Sequence, residues 1–209
     1  MIVLHLISFR TDMQYSGKVI LVGPSGVGKT SLLNRYVTGT FDQNSIPTVS
    51  PTAVQVSIPV EDQISVELAL WDTAGQEKFQ SISQMFYRGS NVAIICILSN
   101  QINEIEKWAN NIKDVVPECI IMIAITKIDL LSPEQQSEAM HQIEPYLTQF
   151  NIQESFLTSS ETGEGIKMLF VSVAQAIYMA KQKSVEIIQK DNDNKVILNT
   201  EEETSKNCC

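Results

Sequence analysis

Gly23-Pro24-Ser25-Gly26-Val27-Gly28-Lys29-Thr30 decides how this chain is read. The run fits G-x-x-x-x-G-K-[ST], the pattern of a phosphate-binding loop. The apolar run Val19–Val22 before it reads as a strand, and Ser31-Leu32-Leu33-Asn34-Arg35-Tyr36-Val37 after it reads as a helix. A phosphate loop needs that setting. Its glycines let backbone N–H groups turn inward, and the helix N-terminus favours anionic charge. Ser25, Gly26, Val27, Gly28, Lys29, Thr30 and Ser31 are therefore the candidate phosphate-binding residues. Lys29 has the reach for the β- and γ-phosphates, and the Thr30 hydroxyl suits Mg²⁺.

A second run, Trp71-Asp72-Thr73-Ala74-Gly75-Gln76-Glu77, adds a carboxylate for the Mg²⁺ side, Asp72, and a water-positioning candidate, Gln76. Together the two runs point to a nucleotide switch.

The 209 residues are enough for one α/β domain and a tail, and a 44% hydrophobic content supplies a sizeable core. The net charge of −9 argues against a nucleic-acid binder, which needs a basic face. Cys96 and Cys119 sit inside apolar runs, Cys208 and Cys209 close the sequence, and no spacing suggests zinc or a disulfide framework. A reducing compartment is expected. No apolar stretch reaches the roughly 18 residues needed to span a bilayer. The N-terminal run Met1–Arg10 has no basic region ahead of its apolar stretch, so it does not read as a signal peptide, and Ile2 excludes N-myristoylation. Residues 1–16 are expected to be a flexible extension, or a start placed too early with Met13 as the true one.

Strand-like and helix-like segments alternate. Strands are expected at Lys18–Gly23, Ala53–Ile58, Ile64–Trp71, Val92–Leu98, Cys119–Thr126 and near Phe156–Thr158. Helices are expected at Lys29–Thr38, Phe79–Arg88, Ile102–Val115, Pro133–Phe150 and Gly165–Lys183, with Ser132 as an N-cap before Pro133. Continuous apolar runs such as Val92–Leu98 are what strands buried on both faces look like. The fold class is α/β: one doubly wound, mostly parallel six-stranded sheet with helices on both faces, over residues 17–183. Ligands of such sheets bind at the carboxyl ends of the strands, where both runs fall. Residues 184–209 are polar and aperiodic and are expected to be a disordered tail.

Thr126-Lys127-Ile128-Asp129 follows the apolar run Ile120–Ile125. A carboxylate there accepts from guanine N1–H and the 2-amino group, donors adenine lacks, and the Lys127 stem can lie along the base. The plainer alternative is an ordinary surface turn. Thr158-Ser159-Ser160-Glu161-Thr162-Gly163 lies where another loop can close over the base, although its composition alone is that of a turn.

From about Gly17 to Lys183 the chain resembles the Rab family of Ras-superfamily small GTPases. Trp71–Phe79 and Phe86-Tyr87-Arg88-Gly89 look like Rab signatures. Thr48 lies 19 residues after Lys29, at the place of the family's switch I threonine, and Phe41 lies 12 after it, at the place of an aromatic edge against guanine. The resemblance implies the small-GTPase fold and a cycle between GTP and GDP. Thr30 and Thr48 would be Mg²⁺ ligands, with Asp72 acting through water. The Gly75 N–H would contact the γ-phosphate, and Gln76 would orient the attacking water. Thr126, Lys127 and Asp129 with Ser159, Ser160 and Glu161 would hold the base. Loss of the γ-phosphate would release both switch loops.

The sequence also departs from the family. Thr126 stands where asparagine is commonest, and Ser159-Ser160-Glu161 replaces Ser-Ala-Lys. Val49-Ser50-Pro51-Thr52-Ala53 replaces Ile-Gly-Val-Asp-Phe, so Ala53 removes one member of an aromatic triad completed by Trp71 and Phe86. The segment between Leu98 and Trp108 is a few residues short.

Cys208-Cys209 resembles the Rab ending that carries two geranylgeranyl groups, enough for stable anchoring where one chain is marginal. The tail from Lys181 has five Lys and six Asp or Glu, so it adds little attraction to anionic lipid. The expected partners are an exchange factor, a GTPase-activating protein, effectors, a prenylation escort, a GDP-dissociation inhibitor and, through the lipids, the cytoplasmic face of an endomembrane. Two rivals stand beside this reading: a GTP-binding module with little or no hydrolysis, and a P-loop ATPase or kinase.

Overall fold

The computed structural model describes residues 15–43, 52–72 and 85–184. Six strands form one sheet in the order β2-β3-β1-β4-β5-β6. They are β1 Tyr15–Val22, β2 Thr52–Glu61, β3 Ile64–Asp72, β4 Val92–Ile97, β5 Ile120–Ile125 and β6 Ile152–Leu157. Only β2 runs antiparallel, paired with β3 through a tight turn. All other pairings are parallel.

The helices are α1 Lys29–Thr38, α2 Ile105–Val115, α3 Pro133–Gln149 and α4, residues 166–184. The sheet's two faces carry separate cores. Val19, Leu21, Ile94, Cys96 and Met122 pack with Leu32 and Leu33 of α1 and with Phe170, Val173 and Ile177 of α4. Ile20, Val22, Ala93, Ile95 and Ile123 pack with Trp108, Ala109 and Ile112 of α2 and with Ala139 and Ile143 of α3. Successive residues point to opposite faces, so a strand covered on both sides must be apolar at every position. β4 meets that demand, with all six residues buried.

Within the described residues the expected elements appear, but β2 runs on to Glu61, β6 starts at Ile152 rather than near Phe156, and two further differences are instructive. β1 begins at Tyr15 rather than Lys18, because Tyr15, Ser16 and Gly17 pair with Val66, Glu67 and Leu68 of β3. Two residues expected in the N-terminal extension thus belong to the sheet. The helix expected from Ile102 is split: a 3₁₀ segment over Ser99–Glu104 leads into α2 at Ile105. Ile102 and Ile105 are both buried, and a spacing of three suits a 3₁₀ turn, whereas Ile105, Trp108, Ala109 and Ile112 follow the α period. A 3₁₀ turn also rises about 2.0 Å per residue against 1.5 Å in an α-helix, so it crosses a given distance with fewer residues. Most of the helix expected at Phe79–Arg88 lies outside the described residues; 85–87 are helical.

At α3 the Ser132 signal holds. The Gln135 N–H donates to Ser132 Oγ, and Gln135 Oε1 accepts from the Ser132 N–H, a complete capping box. Pro145 lies inside α3 and has no N–H for the His141 carbonyl, but both residues are on the exposed face of the helix. Among the described residues, no helix is long and apolar enough to cross a membrane.

Both interior cysteines are shielded. Burial pushes the Cys96 thiol up to about 12, and burial does the same for Cys119. A raised pKa leaves each as the unreactive thiol at pH 8. Native protein treated with a maleimide at pH 8 and mapped by mass spectrometry should show both unmodified, with both labelled in denaturant. Rapid native labelling of either would contradict this packing.

Candidate functional site

The site lies at the carboxyl ends of β1, β3, β4 and β5. After Val22 the chain leaves the sheet at Gly23, whose φ is +136°. A Cβ at Gly23 would stand 2.0 Å from the Cys96 carbonyl oxygen. Only glycine permits both that backbone angle and that approach. The loop then closes through Gly28, which is left-handed (φ 99°), onto the first turn of α1. No side chain caps that turn and it carries no acidic residue, so its positive end faces the loop uncompensated.

Lys29 is buried, and its ammonium donates to the carbonyls of Gly23 at 2.6 Å and Pro24 at 2.9 Å. These bonds fold the cation against its own loop and satisfy a charge that burial would otherwise penalise. Beside it, Thr30 Oγ1 donates to Asp72 Oδ2 at 2.5 Å, joining α1 to the end of β3. Asp72 is fully buried, and its other oxygen, Oδ1, finds no hydrogen-bond partner among the described residues. A buried carboxylate oxygen left open beside a threonine hydroxyl is an all-oxygen donor set, which suits a hard cation such as Mg²⁺.

The expected base loops also meet. Lys127 is left-handed (φ 58°), and its Cε lies 3.8 Å from where a Cβ on Gly28 would be, so its stem runs beside the phosphate loop. Asp129 sits in the short 3₁₀ turn Ile128–Leu130 and is exposed. The Ser159 hydroxyl donates to Asp129 Oδ1 at 2.5 Å and accepts from the Thr162 N–H at 3.1 Å. Ser159 is thus a hinge pin between the 126–129 and 158–163 turns. Ser160 is half-buried and Glu161 exposed on the same turn, while Phe41 is half-buried beyond α1. Thr48, Gly75, Gln76, Cys208 and Cys209 lie outside the described residues.

Two participants carry no motif. Arg35 on α1 donates to the carbonyls of Gly39 and Thr162, bracing the base-side turn from across the site. The Thr126 hydroxyl lies within hydrogen-bond range of the Val27 carbonyl at 2.6 Å and the Ile97 carbonyl at 3.1 Å. Neither role leaves a signal in sequence, because backbone acceptors have no residue identity.

The family model described as Ras of Complex, Roc, domain of DAPkinase matches residues 18–129. The Ras-related protein Rab-24 of Dictyostelium discoideum is 31% identical over 92% of this chain and 96% of its own length. The GTP-binding protein ypt5 of Schizosaccharomyces pombe is 34% identical over 77% of each chain. Rab-31 of Rattus norvegicus is 38% identical over 54% of this chain and 60% of its own. The chain belongs to the Rab family of small GTPases. It is a guanine-nucleotide switch that hydrolyses GTP.

This Rab-family chain keeps two of the three aromatic positions. Trp71 and Phe86 have ring centroids 6.2 Å apart, and Ala53 stands opposite Trp71 in the β2–β3 register. Lys18 takes up part of Trp71's remaining face. Its ammonium lies 5.1 Å from the ring centroid and donates to the Arg88 carbonyl. Partial burial there lowers its pKa.

Gly23→Ala tests the loop's seat. Forcing a side chain against the Cys96 carbonyl at this φ strains the backbone by ~1–3 kcal/mol. If that strain falls on the nucleotide-competent loop, GDP affinity measured by fluorescent-nucleotide titration should drop about 5- to 150-fold. Unchanged affinity would mean that the loop does not need this approach.

Proposed function

We propose that this Rab-family GTPase senses the γ-phosphate through the phosphate loop and the two segments ending at Thr48 and beginning at Gly75, and recruits effectors in membrane trafficking while GTP is bound. The observation that carries the reading is the contact of Thr30, next in sequence to Lys29, with Asp72, whose Oδ1 is buried without a partner among the described residues. Thr30, Thr48 and, through water, Asp72 would hold Mg²⁺, which when bound supplies positive charge to the β- and γ-phosphate oxygens.

The protein's own contributions follow from charge and position. The Lys29 ammonium donates to the carbonyl oxygens of Gly23 and Pro24, and phosphate oxygens are stronger acceptors for the same cation. Backbone N–H groups from Ser25 to Ser31 line the anion site. The Gln76 amide orients the attacking water, and the Gly75 N–H marks the presence of the γ-phosphate. Phe41 and the Lys127 stem flank the base, Asp129 takes its N1–H and 2-amino donors, and Ser160 offers a backbone N–H. Glu161 lacks the cationic stem usual at its position. Hydrolysis is slow without an activating protein. An exchange factor, a GDP-dissociation inhibitor and a prenylation escort complete the cycle, and Cys208 and Cys209 carry the two lipids that hold the protein on the cytoplasmic face of an endomembrane.

Single-turnover hydrolysis of γ-labelled GTP decides between a switch and a module that merely retains GTP. Phosphate release is expected from the intact chain, and Gln76→Ala should slow it by at least about tenfold while leaving GTP affinity within about twofold. No release, even with activating protein, would refute the enzyme.

Asp129→Asn exchanges an acceptor pair for an amide donor, which suits the 2-oxo group of xanthine. Competition binding should show preference moving from guanine toward xanthine nucleotides. Unchanged GTP affinity would remove Asp129 from the base site.

A further inference from the structure

We infer that Arg35 is a positioning residue for base selection: from the end of α1 it fixes the Asp129 carboxylate through the Thr162–Gly163 peptide and Ser159. Arg35 lies outside the motifs, and its role rests on the guanine-nucleotide reading above.

α1 gives such a contact a firm base. Tyr36, next to Arg35, stacks on Phe170 of α4 with ring centroids 4.0 Å apart, and Phe170 is fully buried. From there Arg35 Nη1 donates to the Gly39 carbonyl at 2.7 Å and Nη2 to the Thr162 carbonyl at 3.2 Å. A guanidinium is planar and holds its donors in a fixed fork, so the first bond orients the second. The same group lies against Gly163, where a Cβ would stand 3.2 Å from Nε and 3.3 Å from Nη2. Gly163 has a φ of +87°, which glycine adopts freely, so the turn can present its backbone to the cation here.

The contacts then run inward without a break. The peptide that offers Arg35 its carbonyl also carries the Gly163 N–H, which donates to the Ser159 carbonyl at 2.8 Å. A cation on the oxygen of a peptide group polarises the group and strengthens its N–H as a donor. The Thr162 N–H donates to Ser159 Oγ at 3.1 Å. That bond takes a lone pair of the hydroxyl and leaves its one proton for Asp129 Oδ1, at 2.5 Å. Ser159 is fully buried, whereas Asp129 is exposed. An exposed carboxylate turns unless a bond holds it. Guanine presents two donors side by side, N1–H and the 2-amino group, and both are met only when the carboxylate lies in the plane of the base. Arg35 therefore acts on the base from a residue that does not touch it.

The experiment is competitive displacement of fluorescent GDP from the full-length protein by GDP, IDP and ADP. IDP keeps N1–H and lacks the 2-amino group, so wild type should prefer GDP. Arg35→Met keeps an unbranched stem of good helix propensity and removes every donor. It should weaken GDP about fivefold, the worth of one modest hydrogen bond, and lower the preference for GDP over IDP about threefold. In a Ser159→Ala background, where the path to Asp129 is cut, adding Arg35→Met should leave that preference unchanged.

An equal loss of GDP and IDP in Arg35→Met would mean a loosened turn and nothing more, and would overturn the inference. So would an unchanged preference, a wild type that binds IDP as tightly as GDP, or the same fall in preference with and without the Ser159 hydroxyl. A wild-type protein that does not prefer GDP to ADP would instead overturn the guanine reading, and this inference with it.

Discussion

The approach of Gly23 to the Cys96 carbonyl is the constraint on which the rest of the site depends. It seats the phosphate loop on the end of β4, the fully buried strand at the centre of the sheet. Because β4 is packed on both faces, its carboxyl end cannot shift without disturbing two cores. The loop inherits that rigidity. Lys29 then has a fixed backbone to fold against, and α1 leaves the loop in a direction that brings Thr30 to Asp72. Phosphate binding is thus an outcome of strand packing as much as of loop chemistry.

A second set of ties crosses the sheet. Thr126 secures Val27 from β5, Ser159 secures Asp129 from the turn after β6, and Arg35 reaches back from α1 to Thr162. Each joins segments that are far apart in sequence, and together they link the phosphate side to the base side. The Thr126 and Ser159 contacts are short and buried or part-buried, the class of bond whose loss is costly because the stranded partner stays out of water, whereas the Arg35 contact is exposed.

Much of this was legible in the residues. Continuous apolar runs announced buried parallel strands, Ser132-Pro133 announced α3, and the spacing between motifs ordered them along one sheet edge. The phosphate loop was recognisable because its backbone geometry demands glycines at set positions. Other features were silent. Tyr15–Gly17 have no strand pattern of their own and are held by β3, and the 3₁₀ entry to α2 follows from which isoleucines must be buried. Arg35 reads as a helix surface residue until the fold carries Thr162 beside it.

The division has a physical basis. Sequence alone determined the elements, their order, the anion-binding loop and the family, since these rest on local periodicity, side-chain chemistry and the φ angles that only glycine adopts freely. Tertiary structure alone decided that the Thr126 hydroxyl reaches the Val27 and Ile97 carbonyls, that Asp72 Oδ1 is buried with no partner among the described residues, and that the Lys18 ammonium lies over Trp71. Those outcomes depend on which backbone carbonyls and rings meet across the sheet, and a carbonyl oxygen is the same atom in every residue.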